Sequence, residues 1–157
     1  MQISVYMVGK TSNNTFSQGI EEYFQRLKHY NPIKQVVIPD LKDKKSLNHL
    51  QIKEKEAAAI IQLLPKTAFI VLLDEKGAEM RSMEFASFFQ KQLNKGTREI
   101  IFIIGGAYGV ADTLINLVDY KLSLSKMTFT HQFIRLILFE QIYRAFSILN
   151  NEPYHNE

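Results

Sequence analysis

Cysteine is missing from all 157 residues. Without thiols the chain can form neither a disulfide nor a thiolate metal site, and the composition fits a reducing compartment, so a cytoplasmic protein is expected. Long apolar runs are missing too, since none approaches the ~18–20 residues that cross a bilayer. Met1-Gln2 leads straight into a strand pattern, with no basic segment, apolar core or small-residue cleavage site, so no targeting segment is expected. Histidines 29, 49, 131 and 155 lack metal-ligand spacing and no HExxH occurs, so no metal is expected either. There is no Walker A sequence, which excludes a phosphate-cradling P-loop, and no GxSxG nucleophile elbow. Excess charge of one sign is also scarce. Nineteen Lys and Arg against sixteen Asp and Glu leave a net +3, which permits an acidic partner such as RNA without requiring one.

What is present is ordinary for a soluble globular protein, with 46% hydrophobic and 22% charged residues. A chain of this length makes one domain, 1–157, able to bury about two-thirds of its unfolded surface. QISVYMV (2–8) reads as a buried strand closed by Gly9-Lys10. Phe16, Ile20, Tyr23, Phe24 and Leu27 recur at helical spacing after cap-type residues 11–14. Asn31-Pro32 breaks that helix before a strand at 33–39. A lysine-bearing connector follows at 41–48, in which Lys42, Lys44 and Lys45 are either a solvated surface or a guide for a phosphate backbone. A helix over 46–64 is expected to bury Leu47, Leu50, Ala57, Ile61 and Leu64, with Lys53-Glu54-Lys55-Glu56 in solvent. Residues 67–73 are a continuously apolar strand with 74–77 as its exit loop. Ser82 is expected to cap the next helix, and 99–104 is another apolar strand. A short helix in 112–118, a strand at 120–124 and a long terminal helix complete the chain. Strands apolar on both faces, alternating with helices, predict an α/β fold with a mostly parallel sheet between helix layers.

The stretch LSLSKMTFTHQ (122–132) is where chemistry is expected: a strand end, a hydroxyl-rich loop, then a histidine opening a helix. That helix carries two apolar faces, one with Ile134, Ile137, Leu138, Gln141, Ala145 and Ile148, the other with Phe133, Leu136, Phe139 and Tyr143. Either another element of the chain covers the second face or a second copy does, and a homodimer is expected. In an open parallel sheet ligands gather at the carboxyl ends of the strands, here the loops 73–77, 105–109 and 125–130. The GGxxG at 105–109 either lets backbone approach a flat ligand or simply serves a tight turn, and the two readings stand level.

IIFIIGGAYG, YKLSLSKMTFTHQFIRLILFEQIYRA and the terminal EPYHNE, with ISVYMVGK and FIVLLDEKG upstream, together resemble the ribosomal RNA large-subunit methyltransferase H family. These are small members of the SPOUT (α/β-knot) methyltransferases, and the resemblance spans essentially the full length. It implies S-adenosylmethionine-dependent methylation of N3 of a pseudouridine in 23S rRNA, in the assembled ribosome. It also implies a C-terminal deep trefoil knot, an exception to the general rule against knots. By the same resemblance Leu73, Gly105, Leu124, Ser125, Lys126, Met127, Thr128 and Phe129 bind the cofactor, and His131, Arg135 and Tyr154 act around the substrate. The target is a weakly acidic imide, so its proton must be removed or the resulting anion stabilised. Arg135 is expected to contact phosphate or charge, and His131 or Tyr154 to orient the base or take its proton. A partner's C-terminal tail is expected to complete each site. The family commonly has proline where this chain has Thr130, and a basic residue where it has Asn156. A different class of protein, a non-catalytic RNA- or ribosome-binding knot protein, would share the fold, but Gly105-Gly106 and His131 argue against it.

Overall fold

A computed structural model describes residues 1–155, so Asn156 lies outside the described residues. Strands β1 (Gln2–Val8), β2 (Ile33–Ile38), β3 (Phe69–Glu79), β4 (Glu99–Ile104) and β5 (Tyr120–Ser123) form one sheet in the order β2-β1-β4-β3-β5. Every neighbouring pair is parallel. Helices α1 (Asn14–Leu27), α2 (His49–Leu63), α3 (Ser82–Asn94), α4 (Asp112–Ile115) and α5 (Phe133–Leu149) cover it. Side chains alternate across a strand, and that period sorts the core into two layers. Ile3, Val5, Met7, Ile100, Phe102 and Ile104 pack with Leu27, Phe89 and Phe139 of α1, α3 and α5. Tyr6, Val8, Ile101 and Ile103 face Ala57 and Ile60 of α2 and Leu114 of α4.

Four local expectations need correction. Helix α2 buries Ile52, Glu56, Ala57 and Ile60, while Leu50 is 62% exposed. The run of adjacent Ala and Ile residues fits two rotations of the helix, and a glutamate in the inward stripe disguised the true one. Its cap is Asn48, whose side chain accepts from the backbone N–H of Gln51. Segment 74–77 is not a free exit loop. It continues β3 to Glu79 as an irregularity in which both Leu73 and Ala78 pair with Leu122. Ser82 is the first residue of α3 rather than its cap, and the Glu84 carboxylate accepts from the Arg81 backbone N–H at 2.7 Å. His131 precedes α5 by two residues, and the Thr130 hydroxyl accepts from the N–H of Phe133 at 3.2 Å. Thr130 therefore supplies a helix-starting acceptor.

Helix α5 is covered within its own chain, packed between α1 and α3. Phe139 meets the Phe24 ring edge-on at 6.3 Å, and Phe146 lies 5.1 Å from Phe89. The two apolar faces thus have intramolecular partners, which removes the bare second face as the reason to expect a dimer.

The centre of this arrangement is Arg135, fully buried at 0% exposed. Its Nη1 donates to the Gly9 carbonyl and the Thr11 hydroxyl, both at 2.9 Å, and its Nη2 donates to the Val8 carbonyl. At the end of β1 the guanidinium fork thus satisfies two backbone carbonyls. Arg135→Ala should lower stability by about 3 kcal/mol, because two buried carbonyls lose their donor. Arg135→Lys should recover only part, since an ammonium lacks the planar fork. Shifted denaturant midpoints at unchanged slope would check both.

Candidate active site

The carboxyl ends of β3, β4 and β5 open into a cavity of about 760 Å³, within the range of small-molecule sites. Leu73, Ile104, Leu122 and Leu124 give it an apolar floor where three strands end side by side. One wall is the backbone of 105–110 and the other is 125–131, with Asp74, Glu75 and Lys76 at the front.

Both wall loops are held from within. A Cβ on Gly105 would stand 2.5 Å from Val110 Cγ2, and one on Gly106 would collide with the buried Glu56 carboxylate. Gly109 has φ +84°, and its N–H donates to the Gly106 carbonyl at 3.1 Å. The loop therefore needs glycine for a turn at one position and for close approach at the others. In the opposite wall Ser123 Oγ donates to the Ser125 carbonyl, and Ser125 Oγ accepts from the Met127 N–H, both at 2.9 Å. The Thr128 hydroxyl donates to Glu75 at 3.2 Å, which ties this wall to the irregular part of β3. Gln132 anchors the following turn by accepting from the N–H groups of Ser12 and Asn13.

Of the predicted cofactor residues, Leu73, Gly105, Leu124, Ser125, Met127, Thr128 and Phe129 line the cavity, as does His131. Lys126 does not. It points outward, 3.9 Å from Glu79. Arg135 does not reach the cavity surface, because its guanidinium is spent on β1. Tyr154 is also absent from the wall. The C-terminal tail folds back so that its hydroxyl donates to Glu140 at 3.2 Å, two turns along α5 and roughly 10 Å from the start of that helix. Tyr23 contacts the same hydroxyl at 3.2 Å, the Tyr143 ring packs on it edge-on, and the Arg144 guanidinium lies over its ring. Sequence reasoning missed Tyr108 and Glu56. An aromatic inside GGAYG was a usable signal for the first. The second was hidden in a run that read as solvated charge.

The titratable groups differ in what they can do. Burial pulls the His131 imidazole below its ordinary 6.5, Arg135 and Lys44 push the same way, and Asp40 opposes. A neutral imidazole at the edge of the cavity can accept a proton at pH 7. Burial and the hydrogen bond with Tyr23 raise the Tyr154 phenol above its usual 10, with Glu140 adding to it, so it remains a donor. Glu56 is raised by burial, which its Lys44 partner at 3.4 Å only partly offsets.

An apolar floor, glycine backbone on one side and peptide groups on the other suit a flat ring with hydrogen-bonding edges. Among the described residues no group of His, Cys, Asp or Glu could hold a metal ion. These features define an all-parallel α/β domain whose cleft has the size and the apolar and backbone lining of a small-molecule site, with one imidazole at its edge. The family model described as predicted SPOUT methyltransferase matches residues 1–155. The chain is 47% identical to the ribosomal RNA large subunit methyltransferase H of Parabacteroides distasonis over 157 residues, all of both chains. It is 45% identical to that of Bacteroides thetaiotaomicron over the same full span, and 44% identical to that of Christiangramia forsetii over 99% of each chain. The chain belongs to the SPOUT methyltransferases and, within them, to the ribosomal RNA large subunit methyltransferase H family.

The His131 resonance should titrate below 6.5 by proton NMR. Because folding disfavours the charged ring, this residue's contribution to stability is present above the unfolded value of about 6.5 and is lost as the pH falls from there toward the folded value. His131→Gln should flatten that part of the acid-side loss in denaturant titrations.

Proposed function

We propose that this protein methylates N3 of a pseudouridine in 23S rRNA of the assembled ribosome, with S-adenosylmethionine as methyl donor. The observation that carries this reading is the cavity itself, where seven of the eight expected cofactor residues meet His131 in a chain whose relatives are named rRNA methyltransferases. Leu73, Leu124 and Phe129 would pack on the adenine, while Gly105, Ser125, Met127 and Thr128 would offer backbone to its edges, and Lys126 would contribute backbone alone. When bound, the cofactor supplies an electrophilic methyl group on a sulfonium sulfur. His131 would take the imide proton of the target, which frees the N3 lone pair that methylation at that atom requires. Arg135 acts as a positioning residue, because its grip on β1 fixes the turn that presents His131.

Tyr154 fits the role of donor orienting the base, not proton acceptor. It is remote from the cavity of its own chain, so a second copy related by a two-fold axis would have to deliver it. That geometric shortfall supports the homodimer. Passage of the C-terminal segment through a loop, the knot, is supported by α5 lying back against α1 and α3 after the edge strand β5, and by family membership. A ribosomal substrate would place the protein in the cytoplasm.

Mass mapping of rRNA from cells lacking this protein should show one pseudouridine without its methyl group, and an unchanged pattern would overturn the assignment. His131→Ala should slow single-turnover methylation by about 100-fold or more, the usual worth of a general base. Sedimentation at micromolar concentration should give a dimer. If calorimetry detected no S-adenosylmethionine binding, the non-catalytic RNA-binding reading would replace this one.

A further inference from the structure

Tyr108 stands at the mouth of the cavity with 46% of its surface exposed. The other large apolar side chain left in water there is Met127, 73% exposed, on the opposite wall. The Tyr108 ring is not loose. It stacks on His49, the first residue of α2, with centroids 4.0 Å apart and planes 23° from parallel. A tyrosine supported on one face by an imidazole and still substantially exposed is a preformed flat surface at the entrance.

The chain just before His49 is fastened to the same wall. Lys44 bridges Asp40 at 2.6 Å and Glu56 at 3.4 Å, and the Glu56 carboxylate fills the space beside Gly106 in the glycine loop. The 3-10 turn Lys44–Ser46 therefore sits on the wall that carries Tyr108, with Asp43 at φ +60° turning the chain into it. Lys44 is committed to these carboxylates. Lys42 and Lys45 on the same segment are exposed and form no ion pair within 4 Å among the described residues, whereas Asp43 between them is an exposed negative charge.

A stacking surface beside outward lysines is the combination that single-stranded nucleic acid uses: rings take the base faces and cations take the backbone. We propose that Tyr108, supported by His49, stacks a nucleobase of the RNA substrate at the cavity mouth, and that Lys42 and Lys45 contact its phosphates. This inference rests on the rRNA reading above and assigns its RNA-binding wall. Tyr108 is then a specificity and positioning residue on the RNA side of the cleft, distinct from the apolar floor that receives the cofactor.

The test compares the full-length dimer or monomer, as it exists in solution, with Tyr108→Ala, Tyr108→Trp and Lys42→Gln/Lys45→Gln. The probes are undermethylated ribosomes for transfer and a large-subunit rRNA stem-loop for binding. Tyr108→Ala should raise KM for ribosomes and weaken stem-loop binding about tenfold, the usual worth of one stacked base. It should leave S-adenosylmethionine affinity by calorimetry within about twofold, and Tyr108→Trp should restore RNA binding. The lysine double variant should reduce the slope of log affinity against log salt by roughly 1.4, as expected for two lost phosphate contacts to a single strand. Unchanged KM and stem-loop binding in Tyr108→Ala, with wild-type transfer intact, would overturn this inference alone. An equal loss of cofactor affinity would also overturn it, assigning Tyr108 to the cofactor side. Wild-type protein that transfers no methyl group to ribosomes would instead defeat the underlying rRNA reading.

Discussion

A guanidinium without water around it organises the site. Arg135 enters the sheet from the first turn of α5 and gives donors to the carbonyls of Val8 and Gly9 at the end of β1. Desolvating a cation is expensive, and only several well-placed acceptors can offset it. The arrangement therefore admits little slack: α5 must begin where the fork reaches β1. Gln132 pins the preceding turn to the start of α1, and Thr130 supplies the first acceptor of α5. Between these anchors His131 has one place to stand, at the edge of the cavity.

From that point charge runs toward the opposite wall. Asp40 lies against Gly9, beside the guanidinium, and pairs with Lys44. Lys44 reaches Glu56, and Glu56 abuts Gly106. These charges link the end of β1 to the glycine loop, while the cleft floor stays apolar. Burial and the nearby cations Arg135 and Lys44 depress the histidine, against the opposing charge of Asp40.

The parallel sheet was legible because β1 and β4 are apolar on both faces, which a half-exposed strand could not be. The cavity loops were legible from glycine and hydroxyl content at strand ends, and seven of the eight expected cofactor residues line the cavity. Arg135 was expected from the resemblance to meet charge or phosphate around the substrate, and nothing local reveals that distant carbonyls claim its guanidinium. Glu56 was misread in the opposite direction, as solvated charge, because its partner Lys44 belongs to a connector twelve residues earlier. The two faces of α5 were visible, yet whether α1 and α3 or a second copy covered them depended on packing that no periodicity encodes.

Local physics written along the chain was enough to determine the α/β class, the helix and strand order, the absence of thiol chemistry and the strand ends where a ligand would gather. Those properties follow from periodicity, side-chain polarity and turn chemistry, all of which act over a few residues. Only the tertiary structure decided that Arg135 is a buried clasp, that Tyr154 stands away from its own chain's cavity, and that Tyr108 rests on His49 at the entrance. Each of these is a contact between residues far apart in sequence. Such a contact is set by where whole elements pack, and neither partner carries a local mark of the other.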